Sequence, residues 1–385
     1  MNSTLPALLD VRWLATPGGV GSVARHILDG LHELDAPPFE LLLWGDPERI
    51  GPHPDWCRVH ASSHIGNEHR GQRELFSIPE HCGGLYLQQV RPLRDWRSAT
   101  IIHDTIQVRS ASVPVRQRFR IAFLTRVARR SQVVLTVSEH SRRTIERDLG
   151  RPQADTLRVW LPMDVQLAQA VRARRSELVA AQPQWRPTTM LFVGRMDPNK
   201  NLLGLFEAVG AAKREQPVEI PLHIFGARPH ERDEVLAQAH AAGVTNIDVA
   251  FDTSQNALVD AYARARVVVL PSFEEGWGLP AWEAIACGIP VIASDAGSLP
   301  ELVPSAVSSF RLVNVSPERD ELRDAIVELA STPLPHPATM DQHSIDALDD
   351  APTAAALAAD VLDAIARTRS APERSPITHG RGETL

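Results

Sequence analysis

Residues 267–290 read VVVLPSFEEGWGLPAWEAIACGIP, and the order of residue types in this stretch decides the fold. The run 267–270 has the continuous β-branched character of a strand buried on both faces of a parallel sheet. Pro271 and Ser272 end it, Gly276 and Gly278 permit a tight turn, and Pro280 suits the first helical turn, where no backbone N–H is needed. Gly288 closes the helix and Pro290 leads into the next apolar run, so the stretch is a βαβ unit. Its turn puts Gly276, Gly278 and Leu279 at a helix N-terminus, where N–H groups and the helix dipole favour an anion such as a diphosphate. Glu275 on the turn and Glu283 one turn inside the helix can face that site together. Carboxylates beside an anion site suit acceptance of hydrogen bonds from sugar or ribose hydroxyls.

The same alternation extends in both directions. Residues 189–193 read as a strand, followed by the turn Gly194-Arg195-Met196-Asp197-Pro198-Asn199-Lys200-Asn201 and a helical pattern over 202–212. Strands are expected at 222–225, 247–251 and 290–293, and helices at 254–264 and 317–330. In the first half, strands are expected at 7–14, 39–44, 85–88, 100–102 and 133–137. Val23, Ile27, Leu31 and Leu34 have helical spacing over 22–34. Ser138 is positioned to cap a helix running to Gly150. Strand character is lost over 164–187, which marks the domain boundary. The fold class is therefore α/β, with two doubly wound Rossmann-like domains, 1–165 and 166–350, facing each other across a cleft. A terminal helix over 351–369 is expected to pack back towards the first domain, and 370–385 to form a disordered tail.

Composition excludes several classes. The chain has 385 residues, 43% apolar and 23% charged, and no run approaches the roughly 20 uncharged apolar residues of a membrane span. Residues 1–13 carry Asp10 and Arg12 inside their apolar run and lack the layout of a secretory signal, so a cytosolic chain is expected. Cys57, Cys82 and Cys287 are too far apart for a metal ribbon or redox motif, and are read as reduced structural thiols. The net charge of −7 argues against a nucleic-acid binder. Residues 1–165 hold 21 arginines against 18 acidic residues, net +3, leaving 19 basic against 29 acidic residues, net −10, in the remainder. Lys200 and Lys213 are the only lysines.

Further candidates emerge from the turns. Arg195, a planar fork, and Lys200, a point charge, can converge on a phosphate. Pro17-Gly18-Gly19-Val20-Gly21 forms a glycine loop before the helical pattern at 22–34. Gly19, Gly21 and Ala24 also fit a dinucleotide fingerprint, but its acidic partner, about 20 residues on, is poorly matched by Asp46. His103 and Asp104 follow a strand, where α/β proteins place ligands and where a histidine can donate to a sugar hydroxyl or stabilise developing charge. The hydroxyls of Ser138-Glu139-His140-Ser141 read equally well as helix caps. Residues 109–130 interleave Arg109, Arg116, Arg118, Arg120, Arg126, Arg129 and Arg130 with Val115, Phe119, Phe123, Leu124 and Val127. That pattern is either a solvated Arg face on a packed helix or a surface for anionic lipid.

Glu275 and Glu283 within EGWGLPAWEAIACGIPV, together with Gly194-Arg195 and Lys200-Asn201, resemble the donor-site signature of the family 4 retaining glycosyltransferases, which have the GT-B fold. The resemblance spans the second domain. It implies that Arg195 and Lys200 hold a donor diphosphate, that Glu283 binds the nucleotide ribose, and that Glu275 contacts the transferred sugar. Gly276, Gly278 and Leu279 would join them in donor binding, with Gly18 and Gly19 approaching the donor phosphate from the first domain. The His103-Asp104 pair is similar to one in family mannosyltransferases acting on bacterial glycans. The implied catalytic set is His103, Glu275, Arg195 and Lys200, with no metal and no cofactor beyond the GDP- or UDP-linked donor. No Asp-x-Asp motif occurs in the sequence. The implied acceptor is a glycan or lipid-linked saccharide, reached in the cytoplasm or at the inner face of an anionic membrane. The competing readings are a non-catalytic nucleotide- or glycan-binding protein on this scaffold, a nucleotide-sugar epimerase and a glycogen-type synthase.

Overall fold

A computed structural model describes residues 5–15, 18–62, 81–87, 98–109, 115–215, 220–226, 228–250, 254–305, 309–316 and 320–370. Pro17, residue 88, residue 251, Pro317 and the tail from 371 onward lie outside the described residues.

The first sheet is built from β1 (Ala7–Asp10), β2 (Leu41–Gly45), β3 (Cys57–Ala61), β4 (Gly84–Tyr86), β5 (Ser98–Ile101), β6 (Val133–Thr136) and β7 (Thr156–Arg158). These strands are parallel, in the order β3-β2-β1-β4-β5-β6-β7. Helices α1 (Gly19–Leu31), α2 (Pro47–Ile50), α3 (Ile106–Arg109), α4 (Val115–Ala128) and α5 (Glu139–Leu149) connect them. Strands β1, β2, β5 and β6 are buried throughout, as interior strands of a parallel sheet covered on both faces must be. β3 and β7 escape a pattern search because they are edge strands. One is half exposed and the other is only three residues long, so neither needs an apolar run.

The chain then forms α6 (Val165–Ala181), with Asp164 capping the amide of Leu167 at 2.8 Å. The second sheet follows: β8 (Thr189–Val193), α7 (Leu202–Glu215), β9 (Leu222–Phe225), α8 (Arg232–Ala241), β10 (Ile247–Ala250), α9 (Gln255–Arg264), β11 (Ala265–Leu270), α10 (Leu279–Ala286), β12 (Val291–Ser294), β13 (Phe310–Val313) and α11 (Glu321–Ser331). Its order is β10-β9-β8-β11-β12-β13, again parallel. The direction of winding reverses between β8 and β11, the point at which doubly wound sheets open a crevice. Helix α12 (Pro337–Asp349) packs on α6 and α10, and α13 (Ala354–Ser370) returns to lie on α1 and on β4–β6 of the first sheet.

Two expected elements are corrected. The strand expected over 7–14 stops at Asp10, because Asp10 and Arg12 form a buried bidentate pair at 2.8 Å in both contacts. That pair, with the Arg12 guanidinium 3.5 Å from the Trp44 ring centroid, turns the chain into a short 3-10 segment over Arg12–Ala15. The helix expected over 22–34 begins at Gly19 and ends at Leu31, so Gly19 and Gly21 are helical and Gly18, with φ 100°, is the residue that turns the chain. Burial pushes the Cys57 and Cys287 thiols up to about 12, as befits inert packed groups.

The α1–α13 contact depends on Gly30, since a Cβ there would lie 2.0 Å from the Ala354 carbonyl oxygen, a backbone atom that cannot step aside alone. Gly30→Ala should therefore destabilise the protein by about 2 kcal/mol through overpacking. Denaturant titration checks this; an unchanged midpoint would mean α13 is not held there.

Candidate active site

The loops after β8 and β11 meet at the reversal point of the second sheet. The Phe273 amide donates to the Asn199 carbonyl at 2.7 Å, and Asn199 Nδ2 donates to the Glu274 carbonyl at 3.2 Å. Lys200 ends a short 3-10 turn over Pro198–Lys200, after which Asn201 takes a left-handed conformation. Its Nζ lies 2.6 and 2.8 Å from the two carboxylate oxygens of Glu275. Glu275 is 6% exposed and also accepts from Ser272 Oγ at 2.6 Å. Its carbonyl accepts from the Ser298 hydroxyl at 3.2 Å, and a Cβ on Gly297 would come within 2.6 Å of the Glu275 nitrogen.

Gly278, at φ 88°, starts α10, and Pro280 occupies the first turn. Glu283, one turn in, accepts a 2.5 Å hydrogen bond from the Tyr262 hydroxyl. Burial raises the Glu283 carboxyl to about 7, opposed by the Tyr262 bond and reinforced by Asp164, while burial and Glu283 push Tyr262 well above its ordinary value. Tyr262 was not among the residues expected from sequence; its only signal there is its place in the helical pattern before the strand.

Arg195 does not share a partner with Lys200. It is 59% exposed and pairs with Asp197 at 3.0 Å, because a carboxylate two residues along its own turn is within reach, whereas Lys200 points back to Glu275.

The first domain meets this loop directly. A Cβ on Gly276 would lie 2.9 Å from the His103 carbonyl and 3.3 Å from Asp104 Oδ2. Ser141 Oγ donates to the His103 carbonyl at 2.7 Å and contacts the Gly276 carbonyl at 3.3 Å, while Ser138 caps the Ser141 amide at 3.0 Å. Thus one serine of that turn caps a helix and the other bridges the domains. Burial holds His103 below its ordinary value, and its Nε2 sits 2.9 Å from the Leu87 carbonyl. Donation from Nε2 to that carbonyl leaves Nδ1 as the ring nitrogen available to a further partner. Asp104 is pushed above the ordinary carboxylate range, chiefly by burial and then by Glu275 and Glu274, against the Ile106 amide and Lys200. It brings a further carboxylate to the edge of the Lys200–Glu275 pair.

Gly19, in the first turn of α1, faces Leu279, in the first turn of α10, since a Cβ on Gly19 would lie 3.0 Å from Leu279 Cδ1. Two helix N-termini and a lysine therefore converge where the domains face, an arrangement competent to hold an anion. The interdomain linker adds an aromatic seam. Trp160 packs edge-on against Trp277 at 6.0 Å, Trp277 against Trp282 at 5.3 Å, and Trp282 Nε1 donates to the Pro162 carbonyl at 3.1 Å.

Two doubly wound domains facing across a cleft whose walls are these loops define the GT-B class. Solved structures of the same fold include sucrose-phosphate synthase from Thermosynechococcus elongatus (20% identity, TM-score 0.65, covering 94% of this chain and 98% of that one). WaaG, a glycosyltransferase involved in lipopolysaccharide biosynthesis, matches at 14% identity and TM-score 0.65 over 93% of this chain and 99% of that one. Residues 178–345 match the model of the glycosyl transferases group 1 family. Among named relatives, O-antigen chain mannosyltransferase B of Escherichia coli is 40% identical over 118 residues, 30% of this chain and 31% of that protein. An MMP alpha-(1->4)-mannosyltransferase of Mycolicibacterium hassiacum is 29% identical over 278 residues, 68% of this chain and 64% of that protein. The matches thus span 31% and 64% of these two relatives' lengths.

With Glu283 raised from 4.5 to about 7, its ionisation disfavours the folded state increasingly as pH rises through that interval, and fully above it. Glu283→Gln keeps an acceptor for Tyr262 and removes the ionisation. Its Tm relative to wild type should be higher at about pH 8 than at about pH 5. The same difference at both pH values would show that Glu283 ionises freely.

Proposed function

We propose that the protein is a retaining glycosyltransferase that moves a hexosyl unit, mannosyl in the first instance, from a nucleotide sugar to a hydroxyl of a bacterial-type glycan or lipid-linked acceptor. The observation that carries this reading is the Lys200–Glu275 pair, at 2.6 Å, set at the reversal point of the second sheet beside the N-terminus of α10. The names of the two mannosyltransferase relatives support the choice of sugar. A solved structure of Anabaena HepE holding UDP and glucose, 18% identical with TM-score 0.61 over 95% of this chain and 97% of that one, keeps a uridine donor in view beside a guanosine one.

In this reading Lys200, Arg195 and the amides from Gly276, Gly278 and Leu279 stabilise charge that accumulates on the leaving diphosphate. Gly18 and Gly19 approach it from the first domain, and Glu283 takes the ribose hydroxyls. Glu275 already accepts from Lys200 and Ser272, so its lone pairs orient a sugar hydroxyl better than they attack carbon. The acceptor oxygen then bonds to the anomeric carbon on the face that the diphosphate leaves, and its proton passes to the departing phosphate oxygen. His103 Nδ1 accepts from a sugar hydroxyl, and no metal takes part.

Calorimetry with GDP, UDP, ADP and TDP sorts the donor base. Lys200→Ala should lower turnover about 100-fold or more, the usual loss when one donor to a developing anion is removed, while a chelator leaves wild-type turnover unchanged. Wild-type turnover in Lys200→Ala would overturn the diphosphate role.

A lipid-linked acceptor fits a feature of α4. Phe119 is 73% and Phe123 56% exposed, on the same face as the exposed Arg116 and Arg126, whereas Ile121, Thr125 and Ala128 point inward. The helix therefore presents aromatic rings as well as arginines to solvent; the side chains of Arg118 and Arg120 are outside the described residues. This face would rest on an anionic membrane, with rings at the headgroup boundary and arginines at the phosphates. Among the described residues no helix is long and apolar enough to cross one. Wild type should float with anionic but not neutral liposomes, and Phe119→Ser with Phe123→Ser should abolish flotation. Failure of wild type to bind anionic vesicles would remove the membrane role.

A further inference from the structure

Two carboxylates of the second domain, Glu274 and Glu301, both reach the first turn of α5 in the first domain. Glu301 lies in the 3-10 segment Leu299–Ser305, and its oxygens accept from the Glu139 amide at 2.9 Å and the His140 amide at 2.7 Å. Helix N-termini leave such amides without intrahelical partners. Here Ser138 satisfies the Ser141 amide, and a side chain from the other domain satisfies the two before it. Arg158 adds an ion pair to Glu301 at 3.3 Å. Glu274 accepts from His140 Nε2 at 2.8 Å and from Arg109 at 2.5 Å, and Arg109 is braced in turn by Asp148 at 2.8 Å. Glu274 and Glu301 are 18% and 17% exposed at their side chains, so they depend on these partners rather than on water.

Their places in the chain give the contacts a purpose. Glu274 immediately precedes Glu275. Glu301 follows, by three residues, the Ser298 whose hydroxyl holds the Glu275 carbonyl. The carboxylate paired with Lys200 is therefore flanked on both sides by anchors to the opposite domain.

We infer that Glu274 and Glu301 are positioning residues that latch the Glu275 loop to the first turn of α5, setting the donor-side carboxylate against His103 and Asp104. The role rests on the glycosyltransferase reading, in which donor binding belongs to the second domain and transfer needs both domains in register. Loss of the latch leaves the nucleotide site intact and misplaces the acceptor side, and misplacement by about 1 Å is enough to slow a reaction about 100-fold.

The test pairs variants from opposite domains, Glu274→Gln and Arg109→Gln, with Glu301→Gln. Each should keep its nucleoside diphosphate Kd and donor KM within about threefold of wild type and lose about 10- to 100-fold in kcat. The Glu274→Gln, Arg109→Gln double variant should lose no more than the worse single one. Independently of any substrate, Glu301→Gln should accelerate hydrogen exchange at the Glu139 and His140 amides, leaving the core of α5 protected. Wild-type exchange there overturns the latch, and faster exchange with unchanged kcat overturns the positioning role. The half-exposed Arg109 keeps the test open if a carboxylate variant misfolds. Exchange judges the latch even if no nucleotide sugar supports turnover, an outcome that would instead count against the glycosyltransferase reading.

Discussion

A carboxylate with almost no water contact persists only where donors and a cation surround it, and Glu275 meets that requirement through Lys200 and Ser272. The pair joins the loop after β8 to the loop after β11, and the Phe273–Asn199 and Asn199–Glu274 bonds run beside it as backbone stitching. Gly297 lets the next turn come close enough to hold Glu275 from the other side. With the loop fixed in this way, Gly276 can abut the His103 carbonyl, and the N-terminus of α10 can face that of α1. The cleft is thus organised outward from one ion pair at the reversal of a parallel sheet.

The charge distribution acquires a local meaning from this arrangement. The second domain belongs to the half of the chain with net charge −10, yet the point where its helix dipole and lysine meet is suited to an anion, because a potential at close range depends on the nearest groups rather than on the total. Acidic residues of that half are also spent on the opposite domain. Glu274 is held below the ordinary carboxylate range against the effect of burial, by hydrogen bonds from His140 and Arg109. The arginine-rich first domain and the acidic second domain therefore meet through specific pairs, while the Trp160–Trp277–Trp282 seam closes the side nearest the linker.

Much of the scaffold was legible because buried parallel strands favour continuous apolar runs, and β1, β2, β6, β8 and β11 each have one. The caps at Ser138 and Gly150, and the glycine and proline that open α10, are local chemistry and were equally readable. Strands β3, β7 and β13 were not, since a short or half-solvated edge strand need carry no such run, although the edge strand β10 was expected at 247–251. The early end of β1 came from a side-chain pair, Asp10 with Arg12, that no periodicity encodes.

In the site, the sequence by itself pointed to the chemistry available: a glycine-flanked helix start with Glu275 and Glu283, set by spacing along one βαβ unit, and Lys200 and His103, each set by its place after a strand of its own domain. Partnership was decided only by the tertiary structure. Lys200 pairs with Glu275, 75 residues away; Tyr262 holds Glu283; Arg195 turns to Asp197; and the Leu87 carbonyl takes Nε2 of His103. Glu274 and Glu301 look like ordinary solvated carboxylates until α5 is brought against them. Hydrogen bonds and ion pairs depend on distances of a few ångströms, and between residues far apart in the chain those distances are set by how sheets, helices and domains pack.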